Sequence, residues 1–277
     1  MTISVADKRA AFRRLHESGC FVIPNPYDAG SARYLQHLGF KAIASSSAGF
    51  AWTLAKNDNG ILLDEVLAHL RSIVAATDIP VNADFEGGFA DEPEGVARNV
   101  TAAVATGIAG LSIEDSRRNA DEPLYEFSYA VERIKAARRA IDSTKSGVLL
   151  TGRSEGFIAG RPDLKETIRR LNAYAEAGAD CLFAPGIKTK EDITAIVRAI
   201  APKPLNLIAI PGAFSLAEIA DLGVRRISVG GGLARAAWGG FISVAKEIAE
   251  HGTFNGLAKG ANGAELNALF KEHAKHG

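Results

Sequence analysis

Asn82, Asp84 and Glu86 fall at every second position of one short run, so a β-strand there would carry all three on the same face. Glu114 closes a second such run, Gly110-Leu-Ser-Ile-Glu-Asp115. Carboxylates aimed into a narrow interior are costly unless a cation or hydrogen bonds compensate them. Hard oxygen donors with no histidine or cysteine beside them favour magnesium, with manganese as the substitute, over zinc. Arg153 ends the run Val148-Leu-Leu-Thr-Gly-Arg153, and its planar fork suits a substrate carboxylate held at two points. The bland alternative is a buried ion-pair network in which these acids are neutralised by Arg153, Arg161 or backbone amides. Ser45-Ser-Ser47 closes a further run and offers either N–H groups to an oxyanion or a cap for the next turn.

Such groups act together only if one scaffold brings the ends of several strands to one place. Strand-like runs recur at Cys20 to Pro26, Lys41 to Ser47, Pro80 to Glu86, Gly110 to Ser116, Gly147 to Glu155, Cys181 to Gly186, Pro204 to Ile210 and Arg225 to Gly230. Between them, helical periodicity covers Asp64 to Ala76, Pro93 to Thr106, Ser128 to Ile141, Asp163 to Ala177, Thr189 to Ile200 and Ser215 to Leu222. Asp163 with Glu166 reads as a variant capping box, and Gly107, Gly178 and Gly223 read as helix stops. Strict alternation of this kind means a parallel sheet, and eight strands in 277 residues predict an α/β fold of the (β/α)8 TIM-barrel type. An N-terminal helix and a C-terminal helical extension account for the remainder. The barrel reads as a single domain over residues 1–277, with 252–277 as a helical tail. A doubly wound open sheet competes. Against it, Pro24-Asn-Pro-Tyr-Asp28 stands after the first strand where a dinucleotide fold would carry glycines.

Thirty-two basic residues balance thirty-two acidic ones, so no net field draws the chain to nucleic acid or to an anionic membrane. No apolar run reaches the ~20 residues of a membrane span, and the N-terminal stretch lacks a signal peptide's apolar centre. A cytoplasmic enzyme is the expectation. Cys20 and Cys181, far apart in apolar sequence, read as free thiols.

Taken together, these segments resemble the isocitrate lyase and phosphoenolpyruvate mutase superfamily. The likeness is carried by Val22-Ile-Pro-Asn-Pro-Tyr-Asp28, Ser46-Ser47 with Asp58 following, Pro80-Val-Asn-Ala-Asp84, Gly110 to Asp115, and Arg153-Ser-Glu-Gly-Phe-Ile-Ala-Gly160. The resemblance implies magnesium and an enolate formed from a small 2-oxo acid. It implies that Asp84 and Glu114 hold the metal, that Ser46, Ser47 and Ala48 present the loop for the oxo-acid end, that Asp58 faces the site, and that Arg153 binds the carboxylate. It further implies a homodimer or homotetramer formed by exchange of a terminal helix, for which Leu266, Leu269 and Phe270 offer an apolar face.

Departures narrow the choice. Ser116-Arg-Arg-Asn-Ala-Asp-Glu-Pro123 stands where the superfamily's lyases carry a cysteine loop, and Ala184-Pro-Gly186 stands where its mutases carry a histidine. Asn82 stands where relatives generally have the first aspartate of an Asp-x-Asp pair, with Glu86 as the residue that restores the charge. Lys188 invites comparison with Schiff-base aldolases but reads as a solvated helix face, and Gly230-Gly-Gly232 reads either as a phosphate cradle or as close packing. The expected activity is therefore magnesium-dependent carbon–carbon cleavage or decarboxylation of an oxaloacetate-like acid, with Asp58, Arg153 and Glu114 in catalytic roles and Asn82, Asp84, Glu86 and Glu114 at the metal. Phosphonopyruvate or phosphoenolpyruvate mutase, or phosphonopyruvate hydrolase, chemistry is the alternative. A catalytically degenerate dicarboxylate binder is the reading outside enzymes.

Overall fold

The computed structural model describes residues 3–117, 119 and 121–273. Its strands are β1 (Phe21–Ile23), β2 (Ile43–Ala44), β3 (Val81–Asp84), β4 (Gly110–Glu114), β5 (Leu149–Arg153), β6 (Cys181–Phe183), β7 (Leu205–Ile208) and β8 (Arg226–Ser228). All seven ladders are parallel, in the order β1-β8-β7-β6-β5-β4-β3-β2. Between β1 and β2 the Ala44 N–H donates to Pro24 O (3.0 Å), so the sheet is a nearly closed barrel. This is the expected α/β TIM-barrel architecture.

The helices are α1 (Val5–Leu15), α2 (Ala29–His37), α3 (Ser47–Thr53), α4 (Leu63–Ala76), α5 (Pro93–Val104), α6 (Phe127–Ser143), α7 (Leu164–Glu176), α8 (Lys190–Ile200), α9 (Leu216–Asp221), α10 (Gly232–His251) and α11 (Gly263–His273). Asp163 caps α7 by accepting from Glu166 N (3.0 Å), but Glu166 does not reach back. Its carboxylate is drawn instead to Arg169 and Arg170, where an ion pair competes successfully with the box. Gly107, Gly178 and Gly223 all take positive φ, as helix stops require.

Parity along the strands sorts the core. Outward residues such as Val81, Leu111, Ile113, Leu150, Leu182, Leu207 and Ile227 pack beneath the helices, while Phe12 from α1 plugs the barrel floor with Ile23, Ala42, Ala44 and Leu149. Barrel interiors are usually filled by branched apolar side chains. Here the layer above the plug is polar, with Asn82, Ser112, Thr151, Asn206 and Arg226 all buried.

α11 turns back onto α2 of its own barrel, burying Leu269 and setting the Phe270 ring 3.7 Å from a Cβ built on Gly30. Exposed apolar side chains lie on α10, at Trp238, Phe241, Ile242 and Ile248, and in the tail itself, at Phe254 and Leu257. The last four positions of the tail, 274–277, lie outside the described residues. Both cysteines are free thiols, and no helix among the described residues is long and apolar enough to cross a membrane.

Candidate active site at the carboxyl ends of the strands

Parallel strands in a barrel deliver the residues at their carboxyl ends to one mouth. A cavity of about 610 Å³ opens there, lined by Asn25, Ser45 to Ala48, Asp58, Asn82, Asp84, Glu86, Glu114, Arg153, Glu155, Asn206, Arg226 and Ser228 among others. Every site residue proposed from the sequence therefore lines one cavity. Their arrangement within it differs in instructive ways.

Arg153 is the hub. Its Nη1 lies 3.3 Å from Asp84 Oδ1 and 3.2 Å from Glu114 Oε2, and its Nε donates to Glu155. Burial disfavours the guanidinium charge, yet the three carboxylates outweigh burial and raise its pKa above the usual value. The ion-pair alternative thus describes Arg153, whereas Arg161 is exposed and takes no part in it. The balance remains lopsided. Burial, opposed by Arg153 and reinforced by Asp84, raises the Glu114 carboxyl, and burial with the Glu114 charge pushes Glu155 up to about 8.

A carboxyl whose folded pKa is raised contributes stability that is full below the unfolded value near 4.5 and is lost as pH rises towards about 8. The metal-free protein is therefore expected to lose thermal stability between those limits. Glu155→Gln should flatten that slope, which thermal unfolding in the presence of chelator measures directly.

The serine loop serves the acids. Ser46 caps α3 by accepting from Gly49 N (3.1 Å), and Ser45 Oγ accepts from Asp84 N (2.9 Å) where the β2–β3 ladder ends. Ser47 gives both its N–H (2.9 Å) and its hydroxyl (2.8 Å) to Asp84 Oδ2. Ser47 N–H is thus engaged with Asp84 and not held out to an oxyanion. Ala48 follows in the first turn of α3 and reaches the cavity wall. Asp58 lines the cavity from an exposed turn, so it faces the mouth from the rim.

Asn82 and Glu86 depart from their expected layer. β3 ends at Asp84, and Glu86 adopts a left-handed backbone (φ 46°), which breaks the two-residue alternation while keeping the side chain on the cavity wall. Asn82 points inward one layer deeper. Its Nδ2 donates to Ala83 O (3.2 Å) and its Oδ1 has no hydrogen-bond partner among the described residues. Asp84 and Glu86 are therefore the acidic pair that this segment brings to the cavity. A Cβ on Gly110 would lie 2.6 Å from Asn82 Oδ1 and 2.6 Å from the Phe12 ring, so this layer has no room to shift.

Several supporting groups had no role in the sequence reading. Asp115 accepts from Glu155 N (2.8 Å), from Tyr174 OH (2.6 Å) and from Arg170 Nη1 (3.1 Å), fixing the backbone beside Arg153 from behind. Asn25 donates to Ser45 O (2.9 Å) and accepts from Val229 and Gly230 N–H (2.9 Å each), tying the strand-eight end to the serine loop. Gly230 is left-handed and Gly231 packs against Trp52, the close packing expected of one reading, while both glycines also line the cavity. Lys188 is exposed, as expected of a solvated face. In the segment after strand four, Arg118 and Ala120 lie outside the described residues.

Among the described residues, no group of three acidic, histidine or cysteine side chains is placed to hold a metal ion by itself. Magnesium seldom needs one. It is commonly held by one or two carboxylates, with water and substrate oxygens completing its shell. An excess of buried carboxylate over guanidinium, with oxygens from β3 and β4 converging on one cavity, fits that donor chemistry.

The phosphoenolpyruvate phosphomutase family model matches residues 12–249. A solved protein of Burkholderia cenocepacia J2315, assigned as a lyase/mutase, superimposes with a TM-score of 0.94 at 45% identity, covering 96% of this chain and 97% of that one. Oxaloacetate decarboxylase 1 of Pseudomonas putida (strain W619) is 32% identical over 231 residues, 79% of this chain and 77% of its own. An oxaloacetate acetylhydrolase solved with the inhibitor 3,3-difluorooxalacetate superimposes with a TM-score of 0.86 at 25% identity, over 99% of this chain and 95% of that one.

Proposed function

The chain belongs to the phosphoenolpyruvate phosphomutase family, whose relatives include lyases and a decarboxylase, and on that premise we propose that it is a magnesium-dependent lyase acting on a small 2-oxo or 2-hydroxy carboxylic acid. The reaction is carbon–carbon cleavage or decarboxylation, and the substrate is oxaloacetate-like. The observation that carries this reading is the convergence of Asp84, Glu114 and Glu155 on the guanidinium of Arg153, in a cavity that Glu86 also lines.

Asp84 and Glu114, with Glu86 beside them, would hold the cation, which when bound stabilises the negative charge that develops on the 2-oxo oxygen. The protein's own groups do the rest. Ser47 fixes Asp84 through two hydrogen bonds and Ser116 donates to Glu114, so neither carboxylate must reorganise to receive a ligand. Arg153, released from part of its carboxylate contact, binds the substrate carboxylate with its planar fork. Asp115 and Tyr174 hold the main chain that carries it.

Ala184-Pro-Gly186 supplies no histidine and Ser116 to Pro123 no cysteine, which favours decarboxylation of a 2-oxo acid over phosphoryl transfer or cysteine-dependent cleavage. The enzyme is proposed to assemble as a homodimer or homotetramer through α10, whose exposed Trp238, Phe241 and Ile242 a second copy would cover. The test is pyruvate release from oxaloacetate, phosphonopyruvate, methylisocitrate and dimethylmalate, with magnesium and with chelator. Magnesium-stimulated pyruvate from oxaloacetate supports the reading. Phosphate release from phosphonopyruvate, or ligand-induced thermal stabilisation without turnover on any of the four, overturns it.

A further inference from the structure

Beneath the acidic mouth lies a cation that the proposed chemistry does not use. Arg226, on β8, is 3% exposed and points into the barrel two residues before Ser228. Its Nε donates to Asn206 Oδ1 (2.8 Å) and its Nη2 to Thr151 Oγ1 (3.0 Å). Its Nη1 lies 3.3 Å from His16 Nε2, which is the acceptor nitrogen because Nδ1 faces Phe12 O at 2.8 Å. Burial, then the Arg226 charge, pushes His16 down to about 3, so the imidazole is neutral. All three partners are therefore uncharged, and no carboxylate among the described residues pairs with Arg226.

A buried charge without a counter-ion is unfavourable, and a guanidinium has five N–H donors, of which these contacts occupy three. The same cavity that holds the acids reaches down to Arg226 and Asn206. The well is thus cationic on the wall that Arg226 forms. Thr151 precedes Arg153 by two residues on β5, so the two guanidinium groups lie about one inward layer, ~7 Å of strand, apart.

We infer that the barrel well floored by Arg226 is a second anion subsite, and that it selects acids carrying a second carboxylate at the end remote from Arg153. The inference rests on the proposed reading in taking Arg153 as the first carboxylate's partner. Arg226 then acts as a specificity residue. A monocarboxylate reaches only the mouth, whereas a dicarboxylate also gives Arg226 the counter-charge it lacks.

The experiment is calorimetric titration of the full chain, with and without magnesium, by malonate, succinate and glutarate and by propionate, butyrate and valerate. In the native protein at least one dicarboxylate is expected to bind about tenfold or more tighter than the monocarboxylate of equal length. Arg226→Gln should abolish that preference, weakening the dicarboxylate by about tenfold while changing monocarboxylates by less than about twofold. Arg226→Lys should fall between. Equal weakening of both series, or no weakening, overturns the proposal. Should Arg226→Gln fail to fold, crystals of the native protein soaked in succinate and glutarate decide. A carboxylate within hydrogen-bond distance of Arg226 supports the subsite, and both carboxylates at the mouth, with Arg226 still bound only to Thr151, Asn206 and His16, refute it. These readouts need no turnover. Binding at Arg226 without pyruvate release from any acid would remove the lyase reading alone, and turnover of oxaloacetate with unchanged KM in Arg226→Gln would remove the subsite alone.

Discussion

Asp84→Ala is expected to lower metal-stimulated kcat/KM by at least about 10³-fold, because it removes both a cation ligand and the acceptor for which the serine loop is shaped. Ser47 N–H and Oγ both donate to Asp84 Oδ2, and Arg153 touches the other oxygen. Without the carboxylate, two donors at the start of α3 lose their partner and Arg153 shifts towards Glu114 and Glu155. Asp84→Asn separates charge from shape, since it retains an oxygen for the Ser47 donors. It should keep the fold and still lose about 10²-fold in rate. Rates measured over a magnesium titration check this, and a near-native rate for both variants would remove Asp84 from the mechanism.

Arg153→Met has the largest expected effect on stability. The guanidinium neutralises Asp84, Glu114 and Glu155 in a site where all four side chains are at least four-fifths buried. Removing one partner of a buried ion pair costs about 3–5 kcal/mol. The cavity opens to water, so the lower half of that range applies, a fall in Tm of roughly 6–15 °C for a chain of this size. Because the variant leaves excess negative charge, its stability should rise on acidification and on adding magnesium, and by more than in the native protein. Arg153→Lys should recover most of the stability but not the two-point carboxylate contact, so its KM stays high. Denaturant unfolding with chelator and with magnesium measures both effects. An Arg153→Met protein as stable as the native one in chelator would remove the Arg153 ion pairs from the account of stability.

Much of this arrangement was legible before any coordinates. The alternation of apolar runs and helical periods gave eight strands because each strand's outward parity, as in Leu111, Ile113 and Leu150, must match a helix stripe. The inward parity at strand ends likewise marked Asp84, Glu114 and Arg153, which do meet. Glu86 lines the cavity as expected, but by way of a left-handed residue after β3 and not by strand parity, which holds only while the ladder holds. Asn82 was placed at the mouth because parity gives the face of a strand but not the depth along the barrel. Depth depends on the stagger between strands, visible here in the pairing of Asn82 with Gly110 and of Glu114 with Arg153. Counting back from Ser228 by two would have pointed Arg226 inward, but nothing local says that its partners, from β5, β7 and α1, are neutral. Apolar residues in a helix announce that something covers them, and for Leu269 the cover is this chain's own α2.

The central claim is that the acids at the barrel mouth capture a divalent cation together with a 2-oxo acid. Crystals of the full chain grown with manganese and oxalate, recorded at a wavelength where manganese scatters anomalously, test it most directly. The account predicts an anomalous peak bridging oxalate to Asp84 or Glu114, with Arg153 turned to an oxalate carboxylate. A mouth without a peak, in which Arg153 still joins Asp84, Glu114 and Glu155, would contradict it.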